Sequence, residues 1–142
     1  MVQRVIRAEV SVRGDASGAI GAGLCVFLGI THSDDPRSAE RMAGKLWHLR
    51  VFEDGTGAMN RSAADLDLPL LVVSQFTLYA DTTKGRRPSF VAAAGPDQAA
   101  PLVEHVVDCL RGAGATVATG RFRADMAVSL VNDGPVTLLL ET

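Results

Sequence analysis

Short apolar runs that follow one another with no helical segment between them constrain this fold more than any other feature. Residues 116–121, 126–131 and 136–140 form three such runs in succession, and Ala8, Val10 and Val12 alternate with Glu9, Ser11 and Arg13 before the run 24–30. Parallel neighbours need a long crossover, usually helical, whereas antiparallel ones need only a turn. Consecutive strands therefore imply a mostly antiparallel or mixed sheet. Two longer segments carry the helical period. Asp34-Asp35-Pro36 opens the first with a capping carboxylate and a proline that tolerates the first helical position. Ala39, Met42, Ala43, Leu46 and Trp47 then share one face. Pro96-Asp97 opens the second, with Leu102, Val103, Val106, Val107 and Leu110 as its stripe, and Gly112 and Gly114 end it. The expected fold is α/β of the α+β type: one domain over residues 1–142, a mixed or barrel-like sheet, two main helices packed on it. The Gly18–Gly23 stretch is expected to be a hairpin turn, and Gly134-Pro135 a turn between the last two strands.

Composition narrows the function classes. A chain of 142 residues with 47% hydrophobic and 21% charged content can bury a core and is not disordered. Its net charge of −2 argues against a surface that coats nucleic acid, such as DNA, but leaves room for a local basic grip. Cys25 and Cys109 stand in separate apolar segments and read as reduced thiols. No segment has the pattern of a secretory leader, and no apolar run approaches the ~20 residues of a membrane-spanning helix. A soluble cytoplasmic protein is expected.

The polar residues that could carry chemistry gather at the end of one apolar run. Leu70-Leu71-Val72-Val73 gives way abruptly to Ser74-Gln75-Phe76-Thr77, and a strand that delivers hydroxyl, amide and backbone N–H groups at its end is a common way to build a site. Ser74 or Thr77 could attack an ester only if a base took its proton. The segment holds no such base; Asp81 is the nearest carboxylate. Backbone N–H groups there could instead form an oxyanion hole, each donor lowering the barrier by about 3 kcal/mol. Lys84-Gly85-Arg86-Arg87 is either a solvated loop or a clamp on phosphates. The glycines at 18, 21 and 23 precede a strand rather than a helix, so they lack the context of a dinucleotide loop. His32, His48 and His105 show no pairing with cysteine or histidine at ligand spacing, and neither a metal nor a cofactor is expected.

Three motifs together resemble one family. Ser74-Gln75-Phe76-Thr77-Leu78-Tyr79-Ala80, then Lys84-Gly85-Arg86-Arg87-Pro88-Ser89-Phe90, then Asn132-Asp133-Gly134-Pro135-Val136-Thr137 look like D-aminoacyl-tRNA deacylase, formerly called D-tyrosyl-tRNA deacylase. Val2-Gln3-Arg4-Val5, Asn60-Arg61-Ser62 and Gly120-Arg121-Phe122 extend the likeness over nearly the whole chain. The resemblance implies a cytoplasmic homodimer that hydrolyses the ester between a D-amino acid, or mischarged glycine on alanine tRNA, and the terminal ribose of tRNA. It implies that Gln75, Phe76 and Thr77 lie against the scissile ester, with Ser74, Phe122 and Met126 in the same pocket. Lys84, Arg86 and Arg87 would hold the tRNA. A cis Gly134-Pro135 corner would reach from one subunit into the other's pocket and exclude L side chains, while the ribose 2′-hydroxyl assists hydrolysis. Two readings of another kind stand beside this one: a dimeric RNA- or ligand-binding module without catalysis, and an esterase with a threonine nucleophile.

Overall fold

The computed structural model describes residues 1–142. Its organising element is a long strand, β1 (Val2–Val12), from which the rest of the sheet is built. The chain reverses at Arg13-Gly14 and runs back along β1 as β2 (Asp15–Ile20) and then β3 (Gly23–Leu28). The pairing register carries straight through from one to the next, with Ala8 opposite Ile20 and Val5 opposite Gly23. The glycine-rich stretch is thus not the expected hairpin turn; the reversal lies earlier, and the glycines mark a break within one return strand. That break sends the two halves to different neighbours.

On the far side of β3 lies β6 (Leu70–Ser74), parallel to it, and then β7 (Val117–Thr119), parallel to β6. The other half, β2, bends around until it meets β7 and nearly closes a barrel. Gly18 permits this closure, because a Cβ there would lie 2.6 Å from the Thr119 carbonyl oxygen. The opposite edge of β1 is covered by β8 (Met126–Leu138), antiparallel to it along almost its full length. A small separate hairpin joins β4 (Phe52–Glu53) and β5 (Met59–Arg61).

Two faces of the sheet are buried, which explains the unbroken apolar runs in β3 and β6. Leu24, Val26, Leu28, Leu70 and Val72 pack outward with Leu46, Trp47, Val106 and Leu110 beneath the helices α1 (Pro36–Trp47) and α3 (Pro96–Gly112). Cys25, Leu71 and Val73 point the other way, into the barrel, against Val5, Ala8 and Val10. The helix starts follow the sequence reading: Asp35 accepts the Ser38 N–H, and Pro36 and Pro96 stand at the first helical positions. A third, one-turn helix, α2 (Ala63–Leu66), adds to the two expected; Ser62 and Asp65 cap it reciprocally.

The C-terminal half departs most from the sequence pattern. The runs 126–131 and 136–140 are not two strands joined by a turn at Gly134-Pro135 but parts of one strand, β8, which ends at Leu138. Thr137 pairs with Gln3, and Asn132 with Val5, so the four residues 133–136 stand opposite Arg4 alone. Turn-forming residues here create an outward excursion rather than a reversal, because β1 offers pairing partners on both sides of it.

Candidate active site at the ends of the parallel strands

The parallel strands β3 and β6 end side by side, Leu28 opposite Ser74, and Gln75 continues by donating its N–H to the Leu28 carbonyl at 2.8 Å. The chain then tightens into a 3₁₀ turn over Phe76–Tyr79. Beyond these strand ends opens a cavity of about 630 Å³. Openings at the carboxyl ends of parallel strands are a common location for ligand sites. Ser74, Gln75 and Phe76 line it from one side, Phe122 and Met126 from another, and Ala99 and Val103 of α3 from below. Five of the residues nominated from sequence therefore meet around one opening, although they come from two distant segments.

The segment Phe90–Ala94 forms a further wall and is pinned from several directions. Ala94 donates to Ile30 O at 2.9 Å, Thr31 Oγ1 to Ala92 O at 2.6 Å, and the His32 ring meets Val91 O at 2.8 Å. Phe76 is 56% exposed, and Phe90 is 37% exposed. Their rings meet edge to face with centroids 5.0 Å apart. Two aromatic faces presented beside amide and hydroxyl groups suit a flat, polar-edged organic group. Tyr79, at the end of the 3₁₀ turn, has its phenol pushed above its ordinary value by burial and by the nearby Asp34 and Glu141. Neither Phe90 nor α3 was nominated for the site from sequence; an aromatic thirteen residues after Thr77 would have needed the tertiary fold to be placed.

Thr77 does not line this cavity; its hydroxyl oxygen accepts a hydrogen bond from Gln75 Nε2. An amide N–H cannot take the threonine proton. The one carboxylate nearby in sequence, Asp81, is committed elsewhere. It accepts from the Thr83 N–H at 2.9 Å and the Thr83 hydroxyl at 2.7 Å, which holds it below the usual carboxylate range. The geometry supplies no activated hydroxyl nucleophile. Lys84, Arg86 and Arg87 occupy an exposed loop closed at its base by the pairing of Asp81 with Ser89, directly before Phe90 of the cavity wall.

Gly134 and Pro135 are exposed and do not line their own chain's cavity. The peptide bond between them is cis. Asn132 holds the base of the excursion, its Nδ2 donating to Arg4 O at 3.0 Å and to Val136 O at 2.9 Å. Arg4 is 8% exposed; its Nη1 donates to Val51 O at 2.6 Å, and its Nε stands 3.1 Å from Asp133 Oδ2. That Nε–H is not aimed at the carboxylate, so the contact is an ion pair rather than a hydrogen bond. Gly134 has φ +119°, and a Cβ there would meet Arg4 Nη2 and Val136 Cγ2 at 2.9 Å, so only glycine fits. Arg4 and Asn132 are the positioning residues that the sequence reading did not nominate; their role depends on strand register.

Elsewhere α3 brings His105 Nε2 to 3.8 Å from Cys109 Sγ, and Glu40 Oε1 stands 3.5 Å from the same nitrogen. This corrects the sequence reading that no histidine pairs with a cysteine: the two are one helical turn apart. A second cavity of about 340 Å³ lies between α1 and the chain ends, lined by Met1, Tyr79 and Leu139 among others. Of the residues nominated for the site it contains none. No helix is long and apolar enough to cross a membrane.

The nearly closed mixed barrel, with its aromatic-lined opening at the parallel strand ends and its hydrogen-bonded excursion on β8, defines a small α+β domain. Solved structures share that architecture. The c-Myc DNA unwinding element binding protein superposes with a TM-score of 0.93 at 41% identity, over 99% of this chain and 96% of that one. A probable eukaryotic D-amino acid tRNA deacylase shares the fold at 16% identity, TM-score 0.81, over 94% of this chain and 93% of that one. Among sequences, the D-aminoacyl-tRNA deacylase of Heliobacterium modesticaldum is 55% identical over 141 residues, covering 99% of this chain and 94% of the relative. That of Streptomyces coelicolor is 56% identical over 142 residues, covering 99% and 97%. The D-Tyr-tRNA(Tyr) deacylase family matches residues 1–141, and the chain belongs to that family.

Proposed function

We propose that this protein is a cytoplasmic hydrolase that cleaves the ester joining a D-amino acid to the terminal ribose of tRNA, releasing both. The observation that carries the reading is the meeting of Ser74, Gln75 and Phe76 with Phe122 and Met126 around one cavity, in a chain of this family. Gln75 and Phe76 stand against the ester, Thr77 supports Gln75 from outside the cavity through its hydroxyl, and Ser74, Phe122 and Met126 hold the aminoacyl-adenosine end. Because Thr77 has no base and Asp81 is engaged, the ribose 2′-hydroxyl beside the ester assists hydrolysis. This requirement separates an RNA substrate from DNA.

Chirality is read by a wall. The Gly134-Pro135 corner, exposed on its own chain and held rigidly by Asn132, enters the cavity of a second copy in a homodimer. Its main chain clashes with an L side chain, whereas a D side chain points away. Glycine, with no side chain, escapes the clash, so glycine mischarged onto alanine tRNA is also cleaved. Lys84, Arg86 and Arg87 contact the acceptor end.

One turnover assay with D-Tyr-tRNA, L-Tyr-tRNA and Gly-tRNA tests the reading. The D and glycyl esters should be cleaved over many turnovers and the L ester spared. Release of no more than one equivalent of amino acid would leave only a binding module. Thr77→Ala should keep substantial deacylation; near-total loss would restore a threonine nucleophile.

A further inference from the structure

We infer that Arg123 is a phosphate contact of this cavity, one that positions the terminal nucleotide through its 5′-phosphate. The inference rests on the reading of the cavity as the acceptor-end pocket and adds a residue to it. Only two charged side chains line the opening, Arg123 and Asp125, and they are not ion-paired with each other. Arg4, Arg41 and Arg111 are engaged, with Asp133 and Val51 O, with Ser38, and with Val117 O respectively, and none of the other arginines lines this cavity. Arg123 is exposed and makes no ion pair or side-chain hydrogen bond. It follows Phe122 directly, in a turn closed by Ala124 N donating to Arg121 O at 3.2 Å. Its φ is +62°, a left-handed conformation that residues with a Cβ adopt at a cost.

A free cation kept in a disfavoured backbone conformation, the only cation at the rim of a mostly apolar cavity whose one other charged side chain is Asp125, fits a ligand with one anionic end. The terminal nucleoside of tRNA has that form: an aromatic base for Phe76, Phe90 or Phe122, and a single phosphodiester leading outward. Guanidinium pairs with phosphate oxygens in a fork that an ammonium cannot copy.

Binding of adenosine, adenosine 5′-monophosphate and inorganic phosphate to the native protein and to Arg123→Gly and Arg123→Lys tests this. Glycine accepts the positive φ, so the first variant removes the cation without disturbing the turn. The native protein should bind the monophosphate about fivefold to tenfold more tightly than adenosine, and inorganic phosphate far more weakly. That gap should close to within about twofold in Arg123→Gly and narrow in Arg123→Lys. For D-Tyr-tRNA, Arg123→Gly should raise KM with kcat unchanged and reduce the salt slope by about 0.7, one single-stranded phosphate. A monophosphate preference that survives in Arg123→Gly would overturn the assignment, as would inorganic phosphate binding as tightly as the nucleotide. If the preference depends on Arg123 but no D-aminoacyl ester is cleaved, the contact stands and the deacylase reading falls. If cleavage is normal and Arg123→Gly changes neither the preference nor KM, the reverse holds.

Discussion

Replacing Asn132 with alanine isolates the device that holds the β8 excursion. Its Nδ2 ties Arg4 O to Val136 O at 3.0 and 2.9 Å, clamping both ends of residues 133–136. The two bonds differ from ordinary surface contacts because the amide is half-buried and its loss strands two carbonyl oxygens. Each such bond contributes about 1 kcal/mol net, so the substitution should cost about 1–3 kcal/mol. For a chain of this size that corresponds to a fall in Tm of roughly 3–9 °C. Asn132→Asp, nearly the same shape, should do no better, since it sets a carboxylate against two carbonyls. Gln3→Ala is the control: its Nε2 meets Thr137 Oγ1 at 3.1 Å on the exposed side of the same pairing, and its loss should stay within about 0.5 kcal/mol. The functional readout is kcat/KM for D-Tyr-tRNA against L-Tyr-tRNA. A corner free to yield no longer clashes with the L side chain, so the ratio should fall at least about tenfold, or 1.4 kcal/mol of lost discrimination. Unchanged Tm together with an unchanged D/L ratio in Asn132→Ala would refute the clamp.

Alanine at Lys84, Arg86 and Arg87 together should weaken tRNA binding and flatten its dependence on salt, as read by filter binding at several ionic strengths; unaltered slopes would return the loop to solvent. Gly18→Ala forces a Cβ to 2.6 Å from Thr119 O and should lower stability by about 1–3 kcal/mol in urea titration, because backbone on both sides must move. Burial pushes the Cys25 thiol up to about 11. Its folded value exceeds its unfolded one, so its contribution is full below the unfolded value and is lost as pH rises toward 11. Cys25→Ala should therefore show a flatter decline of stability across the alkaline range, and Cys25 should resist thiol reagents at pH 8 until the protein unfolds.

Much of this was legible from local rules. The alternation in β1, the two capped helices and the abrupt polar end of β6 each follow from neighbouring residues, because propensity, capping and period act within a few positions. The polar tail of that strand singled out Ser74, Gln75 and Phe76, while Phe122 and Met126 entered only through the family resemblance. Long-range pairing was invisible. The glycines at 18, 21 and 23 have turn chemistry yet interrupt a strand, since the register with β1 continues past them. Asp133-Gly134-Pro135 likewise reads as a reversal and is a bulge, because β1 pairs with both flanks.

Composition and periodicity thus determined the element types, the helix starts and the chemical character of the strand end. Tertiary structure alone decided that Phe90 meets Phe76, that Asn132 bridges Arg4 and Val136, and that β2 reaches β7 to close the barrel. These depend on which strand edge finds which partner, a choice made by the burial of whole faces rather than by any residue's preference for its neighbours.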